Sequence, residues 1–322
     1  MVNILMLSKW HVHAEEYANF ANAQPDANVV AVWDEDPIRG AAWAKELDAD
    51  FVADFDEAIN RADVDAVIVD GPTTDHRRVM VAAAKAGKHI FTEKTLATTM
   101  ADARAIGDAI AANGVKFCIS YPHLMNPLYT LCKQLIDTGE LGRVHYLRFR
   151  NAHNGASAGW LPPHWYDMDA AGGGAMMDLG CHPMYVAPFL LGKPARVASI
   201  FNNTVAPAGD DNAVSVVEFE NKAIAVLETS FISPYDAKCF ELLGTEGAVI
   251  AINGEIKVRT RSNNEWHTPS DLPEKGTYPL RMFLDGILHN TPIRYDINMA
   301  YSLTQMLENA YKSHNTGTIT SV

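Results

Sequence analysis

The densest group of residues that could carry chemistry lies in the run Gly172–His182. Three consecutive glycines open this run, and glycine lets a backbone approach a ligand closely. If a helix begins near Met177, Asp178 and His182 lie four residues apart and share one face. An imidazole beside a carboxylate is suited to accepting a hydroxyl proton near neutral pH. The alternative is a histidine that its neighbour holds for stability alone.

A second candidate is Lys94, which follows Glu93 after the apolar run His89–Thr92. A lysine at the end of a buried strand can polarise a hydroxyl or carbonyl oxygen and stabilise alkoxide character. The usual alternative for a lysine is a solvated surface position. The strand end and the adjacent Glu93 favour the chemical interpretation.

The turn after the first apolar run lacks the glycines that a dinucleotide-binding turn carries as G-x-G-x-x-G. Ser8, Lys9, Trp10 and His11 occupy this slot. In one interpretation Lys9 and His11 offer side-chain donors to a ligand, and in the other the turn merely closes the strand. His11 and His13 also form a His-x-His pair, which can supply two zinc ligands. No third ligand stands out, so we predict no metal.

Asp34 ends a second apolar run, Val29–Trp33. A carboxylate at this point can accept hydrogen bonds from both ribose hydroxyls of a dinucleotide, and it repels a 2′-phosphate. Glu35 and Asp36 add to that repulsion, so NAD is favoured over NADP. The alternative is an ordinary turn aspartate.

These positions are far apart in sequence, so the fold must bring them together. The first 120 residues alternate strand and helix patterns, which predicts a parallel, doubly wound Rossmann sheet with its ligand beyond the carboxyl ends of the strands. Later strand patterns, from Val197 to Arg261, follow one another closely and predict a mostly antiparallel open sheet. We therefore predict an α/β protein with a Rossmann domain over residues 1–122 and an α+β domain for substrate binding and oligomerisation over residues 123–322.

The composition of the chain disfavours several classes of binding partner. Lysine and arginine number 26 against 39 acidic residues, a net charge of −13 that disfavours binding to nucleic acid or anionic membranes. No apolar run approaches the roughly 20 residues that span a bilayer, and we expect no signal peptide. The four cysteines form no CxxC pair. We expect a cytoplasmic protein with no nucleic-acid or membrane partner.

Four segments of the chain carry a family resemblance, and together they are specific. The segments are Gly71–His76, similar to T-P-x-x-x-H; Ala86–Thr95, similar to A-G-K-H-V-x-x-E-K-P; Gly139–Val144, similar to G-x-L-G-x-V; and Gly172–His182, similar to G-G-G-x-x-x-D-x-G-x-H. These motifs resemble those of the glucose–fructose oxidoreductase / inositol dehydrogenase (Gfo/Idh/MocA) family over most of the chain.

The resemblance implies a nicotinamide cofactor on the first domain and a small hydroxy substrate held between the domains. Lys94 and His182 would be the catalytic pair with Asp178 as their polar companion, and His182 would take the hydroxyl proton as hydride leaves the substrate carbon. It also implies a homodimer or homotetramer through the open sheet face. The predicted cofactor-binding residues are Ser8, Lys9, Trp10, His11, Asp34, Gly71, Pro72, Thr73, His76, Glu93 and Lys94. The predicted substrate-binding residues are Tyr121, His123, Trp160, Trp165, Asp178 and His182.

The sequence departs from the family pattern at four places. The glycine turn is missing, Thr95 replaces a proline, Leu124 replaces a common arginine, and Tyr185 stands where an aspartate is frequent. The first departure bears on cofactor affinity, and the last two predict a less polar substrate pocket. We expect an NAD(P)-dependent dehydrogenase acting on a CH–OH group of a sugar, polyol or related hydroxy compound. A non-catalytic ligand- or NAD-sensing regulator and an NAD-dependent eliminase or glycosidase remain alternatives.

Overall fold

The computed structural model describes residues 1–234 and 238–322, which divide into two compact units. The first unit comprises Met1–Ser120 and Thr277–Thr304, and the second comprises Tyr121–Gly276 and Gln305–Val322. The segment Thr277–Thr304 differs from the predicted division, which assigned everything after residue 122 to the second domain.

A parallel sheet of six strands forms the core of the first unit, and each crossover between successive strands passes through a helix. The predicted doubly wound Rossmann sheet is therefore confirmed. The strands are β1 (Val2–Leu7), β2 (Ala27–Trp33), β3 (Asp50–Phe51), β4 (Ala66–Val69), β5 (His89–Thr92) and β6 (Phe117–Ile119). The helices between them are α1 (Ala14–Asn22), α2 (Pro37–Glu46), α3 (Phe55–Ile59), α4 (His76–Lys85) and α5 (Met100–Asn113).

The strand order, β3-β2-β1-β4-β5-β6, explains where a ligand can bind. The chain runs outward from β1 to β3 and then returns to the other side of β1 as β4. Ligands of open α/β sheets bind at such a switch point, beyond the carboxyl ends of the strands. Because β1, β4 and β5 are neighbours, the residues that follow these three strands lie along one edge of the sheet.

The second unit is built on an eight-stranded sheet in the order β13-β12-β11-β7-β10-β9-β8-β14. Every pairing is antiparallel except the one between β7 and β10, which confirms the predicted mostly antiparallel sheet. The strands are β7 (Val144–Ala152), β8 (Pro194–Asn202), β9 (Asn212–Phe219), β10 (Ile224–Ser230), β11 (Cys239–Gly244), β12 (Ala248–Ile252), β13 (Glu255–Arg259) and β14 (Thr320–Ser321).

The helices after the first five follow in chain order. They are α6 (Pro127–Asp137), α7 (Met168–Ala171), α8 (Ala175–Asp178), α9 (Cys181–Leu191), α10 (Pro279–His289) and α11 (Ile297–Thr316). Within residues 1–234 and 238–322, none of the helices combines the length and the apolar character needed to cross a membrane.

Helix α10 belongs to the first unit because its apolar face packs on the first sheet. Phe283 is fully buried, and its ring centroid lies 5.8 Å from that of Phe91 in β5. The Ile119 N–H donates to the Tyr295 carbonyl at 3.0 Å, which fixes the chain after α10 beside β6. The amphipathic pattern of α10 predicts that one face is buried, but it does not say which sheet covers that face.

Candidate active site

The turn that follows β1 contains a left-handed backbone conformation at Ser8, a position that is not glycine. Ser8 has a φ of +79°, in the left-handed region that glycine favours. Its hydroxyl accepts the Trp10 N–H at 3.0 Å and donates to Glu35 at 3.0 Å. Trp10 and His11 are each only 6% exposed, so both side chains pack into the protein beside the turn. Their predicted contacts with a cofactor stay a prediction.

Lys9 faces two carboxylates. Its Nζ lies 3.2 Å from Glu46 and 3.9 Å from Glu15, and it sits 5.3 Å from the centre of the Trp43 ring. An anionic ligand at this turn would compete with Glu46 and Glu15 for the ammonium group.

Asp34 lies where the sequence predicts a ribose-binding carboxylate, and its hydrogen-bonding capacity is already in use. It accepts the Lys9 N–H at 2.9 Å, the Asp36 N–H at 2.8 Å, and the Arg39 Nε and Nη2 at 3.0 and 2.6 Å. A carboxylate offers about four acceptor sites. The ribose hydroxyls of a dinucleotide must therefore displace Arg39 from Asp34, or bind the Asp34 carboxylate together with Arg39. Sequence reasoning missed Arg39, although an arginine in the first turn of α2 is well placed to fold back on Asp34.

Glu93 directly follows β5 and is 1% exposed. Its Oε2 accepts the hydroxyl proton of Tyr17 and lies 3.6 Å from His13 Nδ1. Its Oε1 has no hydrogen-bond partner among the described residues. Burial by itself raises the pKa of Glu93, but the cationic groups of His11, His13 and Lys94 outweigh it and lower the pKa to about 2. Glu93 is therefore ionised at neutral pH.

Asp70 follows β4 in the same way, and sequence reasoning did not single it out. It is fully buried, and neither carboxylate oxygen has a hydrogen-bond partner among the described residues. Burial and the nearby charge of Glu93 hold the pKa of Asp70 well above its usual value. Its backbone oxygen accepts the His11 N–H at 3.0 Å, which ties the end of β4 to the turn after β1. The signal available in the sequence was its position, the first residue after a buried strand.

Lys94 is 6% exposed, so the surface alternative for this residue is wrong. Its positive charge acts to lower the pKa of both Glu93 and His13. The lysine therefore lies with the other groups at the carboxyl ends of β1, β4 and β5. A buried ammonium at this edge is available for electrostatic stabilisation of a developing alkoxide.

The segment Gly71–His76 supports the same edge. A 3₁₀ turn, Thr73–Asp75, follows Pro72 and leads into α4. The buried ring of His76 lies between two carbonyl oxygens, 3.1 Å from that of Leu96 and 3.2 Å from that of Gly71. His76 thus links the chain after β4 to the chain after β5. Cofactor contacts of this segment stay a prediction.

In the second unit His182 is 7% exposed and lies in an aromatic cluster. Its ring stacks on that of His123, with centroids 4.3 Å apart and planes 15° apart. Its Nδ1 lies 2.8 Å from the hydroxyl of Tyr185, which also accepts the His123 N–H at 3.1 Å. Tyr121 stacks on Tyr185 at 4.2 Å. The structure thus brings together three predicted residues, and Tyr185, recognised in the sequence only as a departure, orients the imidazole.

The predicted helix that joins Asp178 to His182 is wrong. Helix α8 ends at Asp178, and the turn Leu179-Gly180 separates it from α9. A side chain at position 180 would lie 2.7 Å from the Met176 carbonyl oxygen, so the tight turn requires glycine. Asp178 and His182 therefore do not share one continuous helical face. The role of Asp178 as polar companion stays a prediction.

The glycine run before α8 has a packing role that the sequence did not indicate. A Cβ atom on Gly174 would overlap the backbone of Asp210, and one on Gly173 would overlap the Tyr311 hydroxyl. The Asp210 carboxylate accepts the Gly174 N–H at 3.1 Å, the Met176 N–H at 2.7 Å and the Tyr311 hydroxyl at 2.8 Å. The close neighbours that these glycines admit are the Asp210 loop and helix α11, both of the same unit.

The two predicted tryptophans differ in their surroundings. Trp160 is 55% exposed, and its indole N–H donates to Asn154 at 3.1 Å. Trp165 is 7% exposed. Trp160 is thus the one that presents substantial surface to a ligand, and substrate contact by either residue stays a prediction.

A cavity of about 600 Å³ opens beside His123 within the second unit. This volume is in the range of small-molecule sites. Its lining is mostly apolar and aromatic and includes two lysines. The lining includes His123, Tyr129, Phe149, Phe240, Lys238 and Lys275. Because His123 also stacks on His182, this cavity adjoins the proposed proton acceptor.

Comparison with known proteins identifies the family. The family described as "Oxidoreductase family, NAD-binding Rossmann fold" matches residues 11–121, and the "GFO/IDH/MocA C-terminal domain" matches residues 129–250. The first match begins after Trp10, so it omits most of the glycine-free turn.

Two curated relatives and one solved structure illustrate the likeness. The chain is 31% identical to scyllo-inositol 2-dehydrogenase (NAD(+)) of Bacillus subtilis over 72% of this chain and 68% of the relative. It is also 31% identical to 1,5-anhydro-D-fructose reductase of Ensifer adhaerens over 74% and 73%. The fold is similar to that of a levoglucosan dehydrogenase in complex with NADH and levoglucosan, with a TM-score of 0.88, 20% identity, and 100% and 99% of the two chains covered.

The two family matches together span most of the chain, and both relatives pass 30% identity over more than two thirds of their length. The predicted fold, the predicted NAD-binding and the predicted oxidoreductase class are confirmed at the level of the family. This chain belongs to the GFO/IDH/MocA family of NAD-binding oxidoreductases.

Proposed function

We propose that this protein is an NAD-dependent dehydrogenase that oxidises a CH–OH group of a sugar, polyol or related hydroxy compound, or reduces the corresponding carbonyl. The observation that carries the proposal is Lys94, a buried ammonium at the carboxyl end of β5, next to the switch point of an NAD-binding sheet. The relatives named for scyllo-inositol and 1,5-anhydro-D-fructose support a polyhydroxylated substrate.

The residues around the first turn fit a dinucleotide. Helix α1 begins at Ala14, and His13 at its N-cap makes no side-chain capping hydrogen bond. The Ala14 N–H donates to the His11 carbonyl at 3.2 Å, so the later N–H groups of the first turn are the ones that would face an anion. Gly71 lies beside Ser8, where even a Cβ atom would make only ordinary contact at 3.5 Å. When bound, the nicotinamide supplies a hydride acceptor.

The chain's own residues supply the proton and charge chemistry. In the oxidation direction the substrate C–H leaves as hydride, and the O–H proton passes to His182. We assign that proton to Nε2, because Nδ1 faces the Tyr185 hydroxyl. Lys94 stabilises the negative charge that develops on the substrate oxygen. In the reduction direction the same two residues return the proton and polarise the carbonyl.

NAD preference follows from Asp34 and gives the first test. We expect calorimetric titration of the wild type to show NAD binding at least about 10-fold tighter than NADP, since Asp34 and Glu35 repel a 2′-phosphate. In Asp34→Asn the guanidinium of Arg39 loses its main partner and can pair with a phosphate. We therefore expect the preference to fall to about one in this variant, with tighter NADP binding.

The matched control for this test is Asp50→Asn. Asp50 lies on the edge strand β3 and pairs with Arg61 instead of Arg39. The control should keep the wild-type ratio of the two dissociation constants. An unchanged ratio in Asp34→Asn would refute the role of Asp34, and no NAD binding by the wild type would refute the dehydrogenase proposal as a whole.

One observation favours a second candidate, a regulator that senses NAD or a ligand without turnover. The turn after β1 carries the bulky, buried Trp10 and His11 in place of glycines. Such a protein would bind NAD or a sugar but transfer no hydride. Turnover with NAD therefore separates the two functions.

We also propose that the protein acts in the cytoplasm as a homodimer or homotetramer. Support for self-association comes from exposed apolar residues on the second sheet, such as Val214 and Val216, which are 38% and 41% exposed. Support for a reducing compartment is that, among the described residues, none of the four buried cysteines forms a disulfide.

A further inference from the structure

Two histidines of the turn after β1 and the glutamate after β5 form a ligand set that the sequence did not reveal. One candidate ligand atom from each of His11, His13 and Glu93 lies within 4.8 Å of the other two. The sequence showed only the His-x-His pair. The third ligand comes from a strand that lies two places away in the sheet, because β4 alone separates β1 from β5.

The geometry is close to that of a metal site. His13 Nδ1 lies 3.6 Å from Glu93 Oε2, and the rings of His11 and His13 have centroids 4.8 Å apart. Zinc holds nitrogen and oxygen ligands at about 2.0–2.2 Å in a tetrahedron, which places ligand atoms roughly 3.3 Å from one another. Side-chain rotations that shorten the longest of these separations, which reach up to 4.8 Å, would close the set around one ion. Two imidazoles and one carboxylate are the ligands of known catalytic zinc and iron sites, which keep open positions.

Unpartnered carboxyl oxygens beside the ligand set indicate a place for a cation. Asp70 and Glu93 are both buried, and three of their four oxygens have no hydrogen-bond partner among the described residues. Buried carboxylates are costly unless they are paired or coordinate a metal. A divalent ion beside Glu93 would give these unpartnered oxygens a partner.

The surroundings also supply support for the ligands. The Tyr17 hydroxyl donates to Glu93 Oε2 and lies 2.7 Å from Ser120 Oγ, an outer contact that fixes the carboxylate. His11 Nδ1 accepts the His13 N–H at 3.2 Å, so coordination through Nε2 requires Nδ1 to take a proton and give up that contact. This local rearrangement lies within one turn of the chain.

We propose that His11, His13 and Glu93 bind one divalent transition-metal ion at the carboxyl edge of the first sheet, near the buried side chain of Asp70. The site goes beyond the proposed dehydrogenase activity and does not depend on it. It leaves at least one coordination position for an oxygen of water or of a bound ligand.

The test is calorimetric titration of zinc into the full chain after removal of metals by a chelator. We expect one zinc ion per chain with a dissociation constant in the micromolar range or below. His13→Gln and the nearly isosteric Glu93→Gln should each weaken binding at least about 10-fold, since each removes one ligand. Zinc should also raise the Tm of the wild type and leave that of both variants nearly unchanged.

The control is His145→Gln, which replaces an exposed histidine of β7 in the second unit and should bind zinc as the wild type does. Circular dichroism of each variant separates loss of a ligand from loss of the fold. Wild-type protein that takes up no zinc at submillimolar concentration would overturn the proposal. Equal zinc affinity in wild type, His13→Gln and Glu93→Gln would also overturn it, because the ion would then lie elsewhere.

Discussion

Replacing Lys94 by alanine should reduce kcat/KM for hydride transfer by about 10³-fold, while the affinity for NAD changes far less. The expected magnitude is that of removing one preorganised electrostatic donor from a buried site. Lys94 is 6% exposed, so its charge acts where water screens it little. Steady-state kinetics on an accepted substrate, together with NAD titration of the same variant, would measure both quantities.

The chain offers a matched control in Lys88, a second buried lysine at the opposite end of β5. Its ammonium donates to the Arg61 and Val64 carbonyls at 2.7 and 2.8 Å, so it acts in the scaffold. Lys88→Ala should lower the free energy of unfolding but leave kcat/KM of the folded enzyme near that of the wild type. Full turnover in Lys94→Ala would show that Lys94 has no part in the chemistry.

Replacing His182 by glutamine should lower kcat by about 10³-fold, within the range expected when a general base is removed. Glutamine keeps much of the shape of the imidazole and can still hydrogen bond, so the fold and NAD binding should survive. The cluster of His123, Tyr121 and Tyr185 around the ring supports this expectation, because a base must be held in one orientation. Kinetics and thermal unfolding of the same preparation would separate catalysis from stability.

Tyr185→Phe refines the same prediction, because it removes only the hydroxyl that contacts His182 Nδ1. If Tyr185 positions the base, kcat should fall about 10-fold with KM for the substrate little changed. His145→Gln, on the exposed part of β7, should leave both constants unchanged. A Tyr185→Phe variant that raises only KM would assign the tyrosine to substrate binding, and an unaltered kcat in His182→Gln would remove the histidine from the mechanism.

Much of the fold could be predicted because the pattern of apolar and polar residues within one short segment indicates which of its faces are buried. Strand β4 is apolar at all four positions, as expected of a strand in a parallel sheet covered on both faces. Strand β9 alternates exposed and buried residues, as expected of an antiparallel sheet with one open face. The placement of α10 could not be predicted, because an amphipathic helix specifies that it has a buried face and not the sheet that covers it.

The candidate site was predicted where residue type and strand end coincide, as for Lys94 and Asp34. It was missed where the partner comes from a distant segment. The contact of His13 with Glu93 depends on β1 and β5 lying two strands apart, and the alternation of strands and helices does not determine that order. The ion pair between Arg39 and Asp34 depends on the side-chain rotamer of Arg39, which the sequence does not specify. The separation of Asp178 from His182 depends on the turn at Gly180, which interrupts the predicted helix.

The central claim is that this chain transfers hydride between a polyhydroxylated substrate and NAD. The most direct measurement incubates the wild type with NAD and, one at a time, a panel of inositols, sugars and anhydro-sugars, and follows the absorbance of reduced nicotinamide. We predict NAD reduction with at least one member of the panel, and loss of that reaction in Lys94→Ala. A wild-type protein that binds NAD but reduces it with no member would favour the sensing function, and one that binds neither NAD nor NADP at millimolar concentration would contradict the proposed function.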